Sequence, residues 1–176
     1  MGAMEELAVN GKVRFIGVSN FSAAELHRAQ RFLSRHRIVS NQVSNSLINR
    51  NTEADLFAYC IQNRITIIAY SPLARGLDHI RRRDPKGVLE TITTETGRTE
   101  AQVALNWCIS KKEVIAIPKA NNVDHMLEDL GASGWRLSSE QIRILEEDIK
   151  PGRLKPIEAK LRRFVRPFLQ RLGRSQ

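Results

Sequence analysis

Several polar side chains in this 176-residue chain recur at one place in a repeated pattern, just after a short apolar run. Ser19 and Asn20 offer a hydroxyl and an amide, and Gln42 offers a second amide. Complementary donors and acceptors of this kind can fix a carboxamide. Tyr70 supplies a flat face on which a ring can stack. Lys119 precedes a helix start capped near Asn122, and a lysine beside free helix N–H groups suits a phosphate. Each residue alone reads as an ordinary turn or cap residue. Together, in register, they suit a ligand with a carboxamide ring at one end and phosphate at the other.

The elements that must hold them follow from the apolar runs. Ile65-Thr66-Ile67-Ile68-Ala69-Tyr70 is β-branched and continuous, as in a strand buried on both faces, and Pro72 stops it. Similar runs lie at about 13–18, 38–43 and 114–117, with helical periodicity between them. Repeated βα units imply a parallel sheet, and ligands bind at the C-terminal ends of its strands.

Helix starts are marked by capping boxes at Ser22–Glu25, Thr99–Gln102 and Ser138–Gln141, by Asn51 or Thr52, and by Asn122. The first helix should run to about Ser34 and another from Val88 to Thr96, ended by Gly97. Residues 75–87, with the charge run Arg81-Arg82-Arg83-Asp84, read as a solvated loop. Residues 1–4 look like a cloning scar, 5–11 lead in, and Pro151-Gly152 closes the compact region, so the expected divisions are 1–4, 5–152 and 153–176.

The net charge of +9 is uneven. Residues 153–176 hold eight Lys/Arg against Glu158 and so carry +7, leaving +2 for the body. The body is therefore no nucleic-acid surface. The tail has apolar residues at 157, 161, 164, 165, 168, 169 and 172 between basic ones, an amphipathic helix kinked at Pro167. It is expected to pack on the protein or a partner rather than on a membrane. No run approaches the roughly 20 apolar residues of a membrane span. Cys60 and Cys108 sit among apolar neighbours and read as buried thiols, with no metal site, and the expected compartment is the cytoplasm.

Gly11-Lys12-Val13-Arg14-Phe15-Ile16-Gly17-Val18-Ser19-Asn20-Phe21, Asn41-Gln42-Val43, Ile68-Ala69-Tyr70-Ser71-Pro72-Leu73 and Ile117-Pro118-Lys119-Ala120 strongly resemble the aldo-keto reductase family. Over about residues 8–150 their order and spacing are similar to the C-terminal half of that family's (β/α)8 barrel. The resemblance implies NADP(H), or NAD(H), across the strand ends. It assigns Ser19, Asn20 and Gln42 to the nicotinamide carboxamide and Tyr70 to stacking on the ring. Ser71 and Leu73 would lie along the pyrophosphate. Lys119, Ala120 and His125 would surround the adenosine 2′-phosphate, with Glu128 and Asp129 near the adenine. Many members carry Ser, Arg and Asn where Ala120, His125 and Asp129 stand here, and a neutral His holds phosphate less firmly than Arg.

The family's catalytic Tyr, Lys, Asp and His belong to the first half of the barrel, so no catalytic residue is assigned and no turnover by this chain alone is expected. The expected fold is a partial TIM barrel of about four parallel strands with covering helices and a basic tail helix. Four strands cannot close a barrel of eight, which leaves open edges and an apolar inner face. Self-association or a complementing N-terminal half is therefore expected. The alternative function is a non-enzymatic half-barrel scaffold.

Overall fold

The structure is a computed structural model that describes residues 1–50 and 53–152, apart from the side chains of Glu53 and Ala54. The expected cap at Asn51 or Thr52 and the whole tail lie outside the described residues. The chain alternates strands and helices. Strands β1 (Ile16–Ser19), β2 (Ile38–Ser44), β3 (Thr66–Tyr70) and β4 (Val114–Ile117) form one sheet in sequence order, every pair parallel. Helices α2 (Ala23–Gln30), α3 (Glu53–Gln62) and α6 (Glu100–Ile109) make the crossovers, with α4 (Leu77–Arg81) and α5 (Val88–Thr96) ahead of α6. Helix α1 (Gly2–Val9) precedes the sheet, and α7 (Val123–Leu130) and α8 (Ser139–Asp148) follow it.

Register fixes which side chains face where. Asn41, Ile67 and Val114 stand in one row across β2, β3 and β4, as do Val43, Ala69 and Ala116 in the next. This face lies under the helices: Asn41, Val43, Ile67 and Ala69 are buried there. One core packs Ile16, Leu26, Ile38 and Cys60 beneath α2 and α3, and the other packs Val103, Trp107, Leu145 and Ile149 among α5, α6 and α8. The opposite face carries Ser19, Gln42, Ile68 and Ile115 in one row and Ser44, Tyr70 and Ile117 in the next. It is open: Ile115 is 54% exposed and Ile117 42%. Both cysteines are buried and free, and burial pushes the Cys60 thiol up to about 11.

The three expected capping boxes form, at Ser22, Thr99 and Ser138, and the Asn122 side chain caps α7. Four boundaries differ from expectation. Residues 2–9 are a helix, not an unstructured lead-in. The Glu5 carboxylate in it accepts hydrogen bonds from the backbone N–H groups of Ser34, Arg35 and His36. Strand β1 begins at Ile16 instead of 13, because the Lys12 and Val13 amides are spent on the Leu7 carbonyl as the chain leaves α1. Helix α2 stops at Gln30. There the side chain turns to donate to the His36 carbonyl and accept from the Ile38 amide, tying the connection to β2.

The segment 75–87 is not a solvated loop. Its helix α4 buries Ile80 completely. The charge run is used internally: Arg81 pairs with Asp78 and Glu100, Arg83 donates to the Pro151 carbonyl, and Asp84 accepts from the Val88 and Leu89 amides at the start of α5. A run of charges reads as solvated only when its partners are far away in sequence and so invisible to a local reading.

Candidate functional site

Every expected site residue lies at or just beyond the C-terminal end of a strand. The turn from β1 into α2 carries Ser19 and Asn20. Asn20 adopts φ 58°, a left-handed conformation that asparagine tolerates better than most residues. The turn is held from behind by Asn41 of β2, wholly buried, whose Oδ1 accepts from the Phe21 amide at 3.3 Å. Its Nδ2 donates to the Phe21 carbonyl at 2.8 Å. In front, Ser19 Oγ donates to the Gln42 carbonyl at 3.0 Å, and the Asn20 amide donates to the same oxygen at 2.8 Å. Asn41 thus positions the polar pair without belonging to it. Its neighbour Gln42 drew the sequence argument because an amide beside a strand end suggests a ligand. The signal for Asn41 is that an amide in the outward register of a parallel strand needs buried partners.

Tyr70 closes the group. Its hydroxyl donates to Asn20 Oδ1 at 3.2 Å, and its half-exposed ring stands on the open face, in the row of Ser44 and Ile117. The Gln42 side-chain amide, half-exposed on the same face, has no hydrogen-bond partner among the described residues. So Ser19, Asn20, Gln42 and Tyr70 are brought together as expected.

After β3, Ser71 takes φ 50° and starts a tight turn in which its carbonyl accepts from Ala74. Leu73 presents backbone to this end, since its side chain is packed against the α5–α6–α8 core. A second group gathers after β4. Lys119 is exposed and has no ion-pair partner among the described residues. Ala120 follows it, and Asn122 caps α7 by accepting from the His125 amide at 2.8 Å. His125 Nδ1 lies 3.6 Å from Glu128 Oε2, so an acid already faces the imidazole. Partial burial raises the Asp129 carboxyl above its usual range, Glu128 adds to that and His125 opposes it. Glu128 also uses its carbonyl, which accepts from Gln102 Nε2 at 3.1 Å.

The donor set suits a nicotinamide dinucleotide. A free amide at Gln42 and a free ammonium at Lys119 are the two orphaned polar groups on this side of the sheet, and an exposed aromatic face stands at the end of β3 between them in strand order. Hydride chemistry would also need an acid. Neither tyrosine hydroxyl bonds to a Lys, Asp or His among the described residues; Tyr70 is engaged with Asn20, and burial raises Tyr59.

Known proteins with this pattern were compared with the chain. A profile described as the aldo/keto reductase family matches residues 1–150. Methylglyoxal reductase YeaE of Escherichia coli (strain K12) is 33% identical over 147 residues, which span 84% of this chain and 52% of that protein. The solved structure of a thermostable aldo-keto reductase, Tm1743, in complex with the inhibitor epalrestat, superposes with TM-score 0.73 at 38% identity. It covers 82% of this chain and 52% of its own. An aldo-keto reductase from Klebsiella pneumoniae in complex with NADPH gives TM-score 0.73 at 32% identity, over 87% of this chain and 54% of that one. The chain thus spans about half the length of the relatives it matches.

Proposed function

The chain belongs to the aldo/keto reductase family, and from that premise we propose that it is the dinucleotide-holding half of an NADP(H)-dependent oxidoreductase. The observation that carries the reading is the joined group Ser19–Asn20–Tyr70 beside the unpaired Gln42 amide, with the unpaired Lys119 at the far strand end. The relative crystallised with NADPH supports it.

In this reading Ser19, Asn20 and Gln42 hold the carboxamide, and Tyr70 lies against the nicotinamide ring. Backbone of Ser71 and Leu73 follows the pyrophosphate. Lys119 meets the 2′-phosphate, with Ala120 and His125 beside it, and Glu128 and Asp129 flank the adenine. When bound, the cofactor supplies the hydride for reduction of a carbonyl. The residues here orient it and present one ring face to the open side of the sheet. Because Glu128 already faces His125, discrimination for the 2′-phosphate rests on Lys119, and NADH is an admissible second ligand.

The proton for the developing alkoxide has to come from groups outside the described residues, so the isolated chain binds cofactor without turning over. Its setting is a reducing cytoplasm; no helix among the described residues is long and apolar enough to cross a membrane. The test is a fluorescence titration of the full chain with NADPH and NADH, repeated on Gln42→Leu and Lys119→Ala. Saturable binding weakened by both substitutions supports the reading. No binding by a folded chain overturns it in favour of a half-barrel scaffold, a reading favoured by the absence of a paired acid among the described residues.

A further inference from the structure

Helix α7 carries an apolar stripe that touches almost nothing. Val123, Met126, Leu127 and Leu130 recur at the i, i+3, i+4, i+7 spacing of one helix face, and all four are more than half exposed. The stripe follows β4, a strand paired on one side only. At the other end of the sheet β1 is likewise paired on one side only, and Met4, Leu7, Val9 and Phe15 around it are exposed. Contiguous apolar surface beside an open parallel edge marks an association site.

The two ends complement each other. Strands β1 and β4 have four residues each and run in the same direction. The α7 end is acidic, with Asp124, Glu128 and Asp129 between its apolar residues. The chain entering β1 is basic, with Lys12 and Arg14 exposed, while Glu5 of α1 is turned inward onto Ser34–His36.

We propose that a second copy of this chain closes the open side, the β4–α7 end of each protomer meeting the β1–α1 end of the other across a twofold axis. Two arcs of four parallel strands then make a ring of eight, the number at which side chains fill a barrel. The open-face residues Ile115 and Ile117 turn inward, and the α7 stripe packs on the exposed residues of the partner's α1. Acidic α7 lies beside the basic lead-in to β1 at both junctions. The inference does not depend on cofactor binding, and its test uses no cofactor.

The experiment is sedimentation of the full chain up to about 100 μM, a concentration that detects even weak pairs. Four forms are compared: wild type, Glu128→Lys with Asp129→Lys, Lys12→Glu with Arg14→Glu, and all four substitutions together. The wild type should be dimeric. Each double reversal places like charges at both junctions and should raise the dissociation constant about tenfold or more, and the fourfold variant should recover. Circular dichroism confirms that each is folded. If a reversal unfolds the chain, the wild-type dimer is instead titrated with salt, which should weaken it. A monomeric wild type, reversals without effect, a fourfold variant that does not recover, or insensitivity to salt overturns the proposal. So does a chain cut after Gly152 that dimerises where the full chain stays monomeric, because that result gives the face to the basic tail.

Discussion

The hydroxyl of Tyr70, at the end of β3, donates to Oδ1 of Asn20, beyond the end of β1, at 3.2 Å. The two strands are not neighbours; β2 lies between them. The bond therefore spans the strand that carries Gln42 and fixes the aromatic ring relative to both amides. Removing the hydroxyl in Tyr70→Phe keeps the ring for stacking and frees Asn20. NADPH binding should weaken only a few-fold, whereas Tyr70→Ala, which removes the stacking surface, should cost about tenfold or more. Titration of both variants checks this; equal losses would show that the hydroxyl, not the ring, holds the ligand.

Lys119 has no ion-pair partner to release when it binds a phosphate. Charge-assisted bonds are worth about 1.5–3 kcal/mol, so Lys119→Ala should weaken NADPH about tenfold or more and leave NADH nearly unchanged. Salt should weaken NADPH binding to the wild type more steeply than to the variant. A parallel loss for both nucleotides would remove the 2′-phosphate from this lysine.

Asn41 holds both the amide and the carbonyl of Phe21 from a wholly buried position. Asn41→Leu leaves those two backbone groups without partners, at about 1–3 kcal/mol each. Chemical denaturation should show the loss. Cofactor affinity should fall with it, since the turn bearing Ser19 and Asn20 loses its support, although Asn41 does not face the ligand side of the sheet.

Glu5 gives a pH dependence with a definite sign. Hydrogen bonds from the Arg35 and then the Ser34 amides, with lesser contributions from His36 and the Ser34 hydroxyl, hold its carboxyl down at about 2, against an ordinary 4.5. A depressed carboxylate contributes stability that is present above 4.5 and lost as pH falls toward 2. The melting temperature of the wild type should drop over that window more steeply than that of Glu5→Gln, which lacks this titration. Identical pH profiles would show that α1 is held by packing rather than by this carboxylate.

What the sequence determined by itself was local chemistry and periodicity. Ser22, Thr99 and Ser138 cap helices because their partners stand three residues away. The four strands are legible because a parallel strand buried under helices is written as a short continuous apolar run. The cofactor-side residues are legible because strand ends fall where those runs stop.

Tertiary structure decided everything whose partner is distant in sequence. Arg81 reads as solvated until Glu100 is folded beside it, and Ile80 is apolar in a charged stretch until the α5–α6–α8 core receives it. Glu5 is unremarkable until three amides some thirty residues away converge on it. Asn41 and Gln42 are adjacent amides in the chain. Strand alternation sends one under the helices to brace a turn and the other to the open face, and only the register against β3 says which. The exposed stripe of α7 is the converse case: its spacing predicts a buried face, and the fold shows that no described residue of the same chain covers it. Burial is a property of the partner as much as of the residue, and sequence carries only one side of that relation.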